Sequence, residues 1–295
     1  MSLTGAPPVE HLPLDPGAKA AVLAEALPYI REFSGRTIVV KYGGNAMTDP
    51  ELVELFAQDV VLMRLVGMNP VVVHGGGPQI SDLMRRLGKE PVFVDGQRVT
   101  DAETIDIVRM ALVGKVNREV VAAVNRQGPY AVGLSGEDAG LITVTPRDPR
   151  LGFVGDVSRI NASVLQRQLR EELIPVVATI GVDERGQAYN VNADAVAGAI
   201  AEALGAEKLV YLTNVPGLYA DLGDEGSLIS QISATDLAAM IDGGALSAGM
   251  VPKVASCVSA LRHGVGRAHL LDGRIPHALL LECFTREGVG TMVTR

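Results

Sequence analysis

The sequence predicts an α/β fold in which helices alternate with the strands of one mostly parallel sheet. Short apolar runs rich in β-branched residues recur along the chain, and such runs are typical of strands buried on both faces. Longer segments with apolar positions at helical spacing lie between them. The alternation continues almost throughout, without a low-complexity linker or a solenoid repeat, which favours one layered architecture. With 295 residues, 47% of them hydrophobic, the chain can bury a large core, as one domain or as two lobes.

The N-terminal region is predicted to contain a loose segment followed by a helix. Residues 1–17 are rich in proline, and we expect them to be disordered or loosely held. Residues 18–33 repeat apolar positions at helical spacing, with a possible kink at Pro28. No strand precedes this helix, so its apolar stripe needs a partner in its own domain or in another subunit. We favour another subunit.

The first core strand is predicted over residues 37–42 and leads directly into Gly43 and Gly44. The next helix starts at residues 48–51, where a capping residue, a proline and an early acid follow one another. It leads to a second strand at residues 71–74, which completes one right-handed βαβ unit.

Three glycines and Pro78 follow the second strand and open a helix at residues 79–87. The first N–H groups of a helix are free, and the helix dipole adds partial positive charge, so this junction can seat an anion. A tight strand-to-helix turn needs only one glycine for its backbone angles, whereas three favour a ligand lying against the main chain. This stretch alone leaves the structural and the functional interpretation open.

The remaining elements follow the same alternation. Further strands are predicted at residues 91–95, 131–134, 141–144, 153–157, 174–180, 208–213, 268–272 and 290–293. Further helices are predicted at residues 101–127, with Gly114 as a possible break, and at 161–171, 195–204, 234–242, 253–263 and 276–282. If the chain has two lobes, the division falls near residues 190–205.

Two cations stand at or just after the ends of predicted strands. Lys41 ends a buried strand beside Gly43 and Gly44, where it either extends to the rim or places a charge where phosphate binds. Arg98 lies between the glycine-rich junction and the next helix. An isolated arginine is usually a surface charge, but its planar group can also bind a carboxylate through two hydrogen bonds.

Asn190, Asn192 and Asp194 alternate along an extended segment, so their side chains face one side. They form either a polar wall of a site or an exposed edge strand whose last residue caps the next helix. Phosphoryl transfer needs mainly positioning and positive charge around the moving group. Lys41, Lys253 and two glycine loops supply both, and an aspartate between the lysines would keep both protonated.

Composition and motifs exclude several function classes. The net charge is −8 and no basic tract occurs, which disfavours binding to nucleic acid or to an anionic membrane. No apolar run approaches a membrane span, and no signal-peptide pattern opens the sequence. Cys257 and Cys283 are far apart, so we expect free thiols in a reducing cytoplasm and no metal site. The P-loop, zinc-protease, hydrolase and dinucleotide motifs are absent.

Five motifs in order resemble those of the amino acid kinase family, and within it the branch that phosphorylates N-acetyl-L-glutamate. They are Lys41-Tyr-Gly-Gly-Asn45, His74-Gly-Gly-Gly-Pro78, Gly96-Gln-Arg-Val-Thr100, Asn190-Val-Asn-Ala-Asp194 and Gly249-Met-Val-Pro-Lys253. The resemblance covers nearly the whole chain from residue 18. It implies a three-layer αβα sandwich around an open, mostly parallel sheet. It also implies an N-terminal lobe at residues 35–192, for acetylglutamate and dimerisation, and an ATP-binding lobe at residues 193–295.

The resemblance implies roles residue by residue. Lys41 and Lys253 would stabilise the transferred phosphoryl group, and Asp194 would organise both lysines. The predicted substrate-binding residues are Gly76, Gly77, Arg98, Asn190 and Asn192. The predicted nucleotide-binding residues are Gly43, Gly44, Asn214, Gly217, Leu218, Tyr219 and Ser247. ATP would arrive with Mg²⁺ on its phosphates and few or no protein ligands to the metal.

The N-terminal helix extends the resemblance to members that arginine inhibits. In those enzymes such a helix is exchanged between dimers to form hexamers, as trimers of dimers. The resemblance implies an arginine site at Tyr29, His269, Glu282 and Gly288, in which Glu282 would pair with the guanidinium.

Two positions depart from the family pattern, and two alternatives stay open. Asn214 stands where an aspartate is common, and Glu137 where a lysine is frequent. The chain could act on a different carboxylate within the same family, or it could be an arginine or nucleotide sensor without catalysis. Both lysines favour an enzyme. An NAD-dependent oxidoreductase is disfavoured, because the dinucleotide motif is absent.

Overall fold

The computed structural model describes residues 15–221, 223–244, 246, 249–286 and 288–295. Its helices are α1 (Pro16–Phe33), α2 (Pro50–Leu65), α3 (Gly77–Arg86), α4 (Ala102–Arg109), α5 (Asn117–Asn125), α6 (Ala162–Arg170), α7 (Ala193–Leu204), α8 (Ala234–Asp242), α9 (Val251–Arg262) and α10 (Ala278–Phe284). Its strands are β1 (Thr37–Tyr42), β2 (Asn69–His74), β3 (Phe93–Val94), β4 (Gln97–Arg98), β5 (Ala131–Ser135), β6 (Ile142–Pro146), β7 (Val154–Ile160), β8 (Ile174–Ala178), β9 (Ile180–Val182), β10 (Ala188–Val191), β11 (Lys208–Thr213), β12 (Leu218–Tyr219), β13 (Leu228–Ile229), β14 (Gln231–Ser233), β15 (Arg267–Asp272) and β16 (Gly290–Thr294).

The central sheet has eight strands in the order β14-β16-β15-β11-β1-β2-β8-β5. The six strands from β15 to β5 run parallel, and β16 pairs with β15 in the antiparallel direction. A second, closed sheet consists of β10, β7, β6 and β9, and two short hairpins pair β3 with β4 and β12 with β13. The predicted α/β fold class is confirmed.

Two apolar cores lie on opposite faces of the central sheet, which makes the molecule three-layered. Along β1, Ile38, Val40 and Tyr42 enter the core that includes side chains of α2, α5 and α10. Val39, between them, enters the core that includes side chains of α7, α8 and α9. Because side chains alternate along a strand, Lys41 points to the same face as Val39, toward α7.

Three element predictions need correction. The apolar run at residues 174–180 forms two strands in different sheets, because the chain leaves the central sheet after Ala178. The helix predicted at 101–127 continues through Gly114, but residues Met110–Val116 form a π-helical segment. Helix α7 begins at Ala193, because Asn192 rather than Asp194 caps it.

Helix α1 starts two residues earlier than predicted, because the Asp15 carboxylate accepts bonds from the first N–H groups. It runs through Pro28 to Phe33. The part of the predicted loose segment at residues 1–14 lies outside the described residues. The C-terminal half of α1 packs on its own domain through Tyr29, Ile30 and Phe33. Farther toward its start, Val22, Leu23 and Leu27 are exposed, so the second-subunit partner stays a prediction.

The predicted division into two lobes stays a prediction. The two predicted lobes share one continuous sheet, because β1 of the first lobe pairs with β11 of the second over residues Ile38–Lys41 and Lys208–Tyr211. Among the described residues, no helix is long and apolar enough to cross a membrane.

Candidate functional site

The candidate site lies at the edge where the parallel strands of the central sheet end. Ligands of open α/β sheets bind outside the carboxyl ends of the strands, because loops and helix N-termini meet there. A cleft of about 300 Å³ occupies this edge. The loops after β1 and β2 line it, and so do the β3–β4 hairpin and the first turn of α7.

Asp194 joins the two predicted lysines at this edge. Lys41 Nζ lies 3.1 Å from Asp194 Oδ1, and Lys253 Nζ lies 2.9 Å from Asp194 Oδ2. The carboxylate is 7% exposed, whereas Lys41 is 11% and Lys253 21% exposed. Burial raises the pKa of Asp194, but Lys41 and Lys253 outweigh that effect and hold the pKa below its ordinary value. The cluster therefore brings two ammonium groups together on one carboxylate in a mostly buried setting.

Local sequence explains how the three charged groups meet. Lys41 points from β1 toward α7, and Lys253 lies in the first turn of α9. The Asn192 side chain caps α7 by accepting hydrogen bonds from Asp194 N at 2.8 Å and Ala195 N at 3.1 Å. Asn192 therefore holds the turn that carries the carboxylate, although its exposed side chain also lines the cleft.

Side chains lie close to both glycines after β1. A Cβ on Gly43 would lie 2.7 Å from Lys41 Nζ. Gly44 has a φ of +75°, and its Cβ would lie 2.3 Å from Asn214 Oδ1. The loop after β1 and the loop after β11 are therefore in close contact, which places Asn214 beside the cleft.

The glycines after β2 differ in what surrounds them. A Cβ on Gly76 would lie 2.6 Å from Leu112 Cδ2, so close packing with the π-helical segment explains this glycine. A Cβ on Gly77 would have no atom of the described chain within 4 Å, and this residue lines the cleft. Gly77 also opens α3, whose first N–H groups lack partners inside the helix. Packing therefore accounts for Gly76, and access to a ligand accounts better for Gly77.

Arg98 is a buried cation without an acidic partner among the described residues. Its side chain contacts Gly77 O at 3.0 Å, Ser81 Oγ at 2.8 Å and Met84 Sδ at 3.2 Å. Its guanidinium lies 4.8 Å from the Phe93 ring centroid. In the part of the chain that the structure describes, no carboxylate lies within ion-pair distance of it. Because a buried guanidinium stays charged, this corner of the cleft favours an anion.

Asn190 and His74 have different environments. Asn190 lines the cleft, half-buried, with Nδ2 3.5 Å from Thr100 Oγ1. His74 is buried, and its ring nitrogens contact Gly75 O at 2.9 Å and Asn117 Nδ2 at 3.0 Å. Burial lowers the pKa of His74 to about 4, so the ring is neutral at pH 7. A neutral ring with both nitrogens bonded is a structural group and not a catalytic base.

Gly217, Leu218 and Tyr219, which are predicted to bind the nucleotide, make contacts within the protein fold. Leu218 N donates to Thr291 Oγ1 at 2.8 Å, and a Cβ on Gly217 would lie 2.5 Å from the same oxygen. Tyr219 pairs with Leu228 in the β12–β13 hairpin. Gly43 and Gly44 line the cleft, and Asn214 lies against Gly44. Ser247 lies outside the described residues.

Three of the predicted arginine-site residues form a separate group at α10, and the fourth, Tyr29 of α1, packs against the core that includes side chains of α10. His269 Nδ1 lies 2.7 Å from Glu282 Oε1, and both side chains are buried. Glu282 Oε2 accepts a bond from Val289 N at 3.0 Å, and a Cβ on Gly288 would lie 3.0 Å from it. Burial raises the pKa of Glu282, but the close contact with His269, the hydrogen bond from Val289 N and the charge of Lys208 together hold the pKa below its ordinary value.

Sequence reasoning missed several residues that shape these sites. Ser81 and Met84 hold the Arg98 side chain. In the sequence, only their spacing of one helical turn on α3 indicates that both face the same side. Lys208, 4% exposed, lies 4.5 Å from the Phe33 ring centroid beside the group around α10. Arg109 accounts for Glu137, since its Nη2 lies 2.8 Å from Glu137 Oε1.

Comparisons with known proteins agree with this geometry. The sequence model of the amino acid kinase family matches residues 36–272. The chain is 56% identical over 286 residues to an acetylglutamate kinase of Symbiobacterium thermophilum, covering 94% of this chain and 98% of that protein. It is 55% identical over 287 residues to an acetylglutamate kinase of Acidothermus cellulolyticus, covering 94% and 96%.

Solved structures show the same fold. An N-acetylglutamate synthase of Neisseria gonorrhoeae, complexed with coenzyme A and N-acetyl-glutamate, superposes with a TM-score of 0.82 at 27% identity. The match covers 94% of this chain but spans only 63% of that synthase. A carbamate kinase of Giardia lamblia bound to AMP-PNP gives a TM-score of 0.67 at 16% identity, covering 88% and 99%.

Proposed function

The chain belongs to the amino acid kinase family, and from that premise we propose that it phosphorylates N-acetyl-L-glutamate with ATP. The products are ADP and N-acetyl-L-glutamyl 5-phosphate, so the enzyme is a phosphotransferase with a carboxyl group as acceptor. The similarity to acetylglutamate kinases over nearly the full chain supports this function. The observation that carries it is the Lys41–Asp194–Lys253 cluster at the edge of a cleft that also contains the Arg98 guanidinium.

The acceptor needs no general base. A γ-carboxylate has an ordinary pKa of about 4.3 and is ionised at pH 7. One of its oxygens attacks the γ-phosphorus of ATP, and the bond to the bridging oxygen breaks, so ADP leaves with the electron pair. Negative charge spreads over the transferred group during this step. Lys41 and Lys253 would offset that charge, while Asp194 keeps both ammonium groups in place before the substrates bind.

The substrate would be recognised at both ends, its α-carboxylate by Arg98 and its reacting carboxylate by the main chain of Gly76 and Gly77. Arg98 would bind the α-carboxylate of acetylglutamate, since it lacks an acidic partner among the described residues. Asn190 and Asn192 would contact the neighbourhood of that group through their amides. The N–H groups of Gly76 and Gly77 would hold the reacting end at the N-terminus of α3.

The nucleotide would bind on the side of the cleft formed by the loops after β1 and β11. Gly43 and Gly44 would approach its phosphates, and Asn214, Gly217, Leu218, Tyr219 and Ser247 would hold the remainder. Among the described residues, no group of three or more His, Cys, Asp or Glu side chains could hold a metal ion. Mg²⁺ would enter as part of the substrate, on the phosphates of ATP, because it binds mainly to water and to substrate phosphates.

Trapping of the product tests this function. The chain, ATP and Mg²⁺ are incubated with hydroxylamine, which converts an acyl phosphate to a hydroxamate. Acetylglutamate, acetylaspartate, free glutamate and free aspartate are compared. We expect hydroxamate with acetylglutamate and little with the others. A preference for another acid would point to a different member of the family, and no hydroxamate with any acid would favour a sensor without catalysis.

We also propose that the enzyme serves arginine biosynthesis in the cytoplasm and that arginine inhibits it. Tyr29, His269, Glu282 and Gly288 would form the inhibitor site, in which arginine displaces His269 from Glu282. The exposed Val22, Leu23 and Leu27 of α1 support a homo-oligomer, which we propose to be a hexamer built as a trimer of dimers. Removal of residues 1–32 should abolish inhibition and lower the mass to that of a dimer, and basal activity should remain. Sigmoidal inhibition that survives the deletion would contradict this proposal.

A further inference from the structure

The Lys253–Asp194 contact is backed by a second contact between the same helices. Ser256 lies one turn after Lys253 on α9, and its Oγ donates to the main-chain oxygen of Asp194 at 2.9 Å. Tyr211 Oη lies 2.6 Å from Ser256 Oγ and 3.2 Å from Asp194 O. Asp194 is therefore held at its carboxylate by Lys253 and at its carbonyl by Ser256 and Tyr211.

The packing around Ser256 leaves it little freedom. A Cβ on Gly198, one turn after Asp194 on α7, would lie 2.3 Å from Ser256 Oγ. The two helices can approach this closely only because residue 198 lacks a side chain. Tyr211 is fully buried, so its hydroxyl group needs a hydrogen-bond partner inside the protein, and Ser256 and Asp194 supply one.

Tyr211 also connects the Ser256–Asp194 contact with the strand that carries Lys41. It is the register partner of Lys41 on the neighbouring strand, and side chains of register partners point to the same face of a sheet. One hydroxyl group thus connects the strand next to Lys41 with the helix that carries Lys253. A lysine side chain has four rotatable bonds, and a misplacement of about 1 Å can cost about a hundredfold in rate.

We propose that Ser256, supported by Tyr211, is a positioning residue that fixes the first turn of α9 against α7 and so directs Lys253 at the transferred phosphoryl group. The proposal rests on the proposed kinase function. Ser256 itself does not touch the reacting atoms in this assignment. It acts through Lys253, and this separates it from a residue that merely stabilises the fold.

The chain offers a matched control on the same pair of helices. Ser259, one turn further along α9, bonds Glu202 of α7 at 3.1 Å, away from Asp194. Ser256→Ala and Ser259→Ala each remove one hydroxyl group between α7 and α9. Loss of a single hydrogen bond corresponds to roughly a fivefold effect. We expect Ser256→Ala and Tyr211→Phe to lower kcat by about five- to tenfold with KM values within twofold, and Ser259→Ala to leave kcat unchanged.

A double-variant comparison tests whether Ser256 acts through Lys253. In a Lys253→Ala background, adding Ser256→Ala should change the residual kcat by less than twofold, because the group being positioned is gone. An equal loss in both backgrounds would overturn the proposal. An equal loss in Ser256→Ala and Ser259→Ala would also overturn it, because helix packing alone would then explain the effect.

A measurement without turnover separates this inference from the proposed function. Lysines are methylated with formaldehyde and borohydride, and the rate at each lysine is read by peptide mass spectrometry, with Lys115 as internal reference. Ser256→Ala should speed modification of Lys253 at least threefold, and Ser259→Ala should not. An unchanged rate would refute the positioning role even if the chain is a kinase. A raised rate in a chain that phosphorylates no acid would refute the kinase function alone.

Discussion

Asp194→Asn is the sharpest single test of the site, because it removes charge and keeps shape. The variant leaves two ammonium groups beside a neutral amide in a setting where Lys41 is 11% and Lys253 21% exposed. Removing one partner of a buried ion pair costs roughly 3–5 kcal/mol. Because water screens Lys253 in part, we expect the lower end, about 3 kcal/mol of unfolding free energy. Loss of a preorganised charge arrangement should lower kcat by about 10²–10³-fold.

Asp59 is the matched control, since it is a buried aspartate with the opposite shift in pKa. It lies 2% exposed on α2, beside His277, where it lines a separate, smaller cavity. Burial raises the pKa of Asp59 to about 6, and the interactions with His277 only partly oppose this. The ionised form still predominates at pH 7, but burial makes it less stable there than it would be in water. Asp59→Asn should leave kcat unchanged and should keep or raise the unfolding free energy, where Asp194→Asn lowers both.

Denaturant unfolding at several pH values checks the sign of each effect. The depressed pKa of Asp194 gives stability that is present above the unfolded value near 3.9 and lost as the pH falls through the folded value. The raised pKa of Asp59 acts in the opposite direction, so its unfavourable contribution, read as the difference between the unchanged chain and Asp59→Asn, should shrink as the pH falls from 7 toward 4. A shift from 3.8 to about 6 corresponds to roughly 3 kcal/mol. If Asp194→Asn were as stable and as active as the unchanged chain, the account of the lysine cluster would be refuted.

Three further predictions follow from the same geometry. Lys253→Ala should lower kcat about 10²–10³-fold with little change in KM, and steady-state rates that keep kcat would contradict its role. Arg98→Lys should raise the KM for acetylglutamate about ten- to a hundredfold, because an ammonium cannot form the paired hydrogen bonds of a guanidinium; the KM for ATP is the internal control. Gly44→Ala should lower both stability and kcat, because a φ of +75° is strained and the new Cβ would meet Asn214, at a cost of about 1–3 kcal/mol. Gly35→Ala has the same φ but open space around it, so thermal unfolding should show a smaller loss and kcat should not change.

Strands with clear local signals were predictable to the residue. The strands at residues 37–42 and 208–213 are apolar runs bounded by polar or glycine-rich turns, and β1 and β11 have these bounds. The run at residues 174–180 carries no such signal at Thr179, where the chain passes from the central sheet into the closed sheet. Local pattern cannot show that change, because both sheets bury apolar residues.

The cap of α7 shows why a site can be predicted while its local structure is misread. Asn192 and Asp194 are both good capping residues, so the sequence alone does not choose between them. Lys41 and Lys253 decide the choice, because they hold the Asp194 carboxylate and leave the cap to Asn192. Arg109 lies on α4, far from Glu137 in the sequence, so the local pattern around Glu137 could not identify its partner.

Hydroxyl groups inside apolar runs were the least predictable part of the site. Tyr211 lies in a strand of buried residues, and nothing nearby in the sequence indicates that its oxygen would reach Ser256. Such contacts depend on the separation between a strand and a helix, which only the folded chain defines. Sequence reasoning therefore found the charged groups of the cleft and missed those that hold them in place.

The Asp194 bridge has a consequence for the order in which activity can arise during synthesis. Lys41 and the glycine loops are made early, but Lys253 is made only after α8. A nascent chain can therefore complete the β1–β2 unit and the first half of the cleft on the ribosome while the carboxylate still lacks its second cation. Catalytic competence should therefore appear late and abruptly, as α9 docks and brings Lys253 to Asp194.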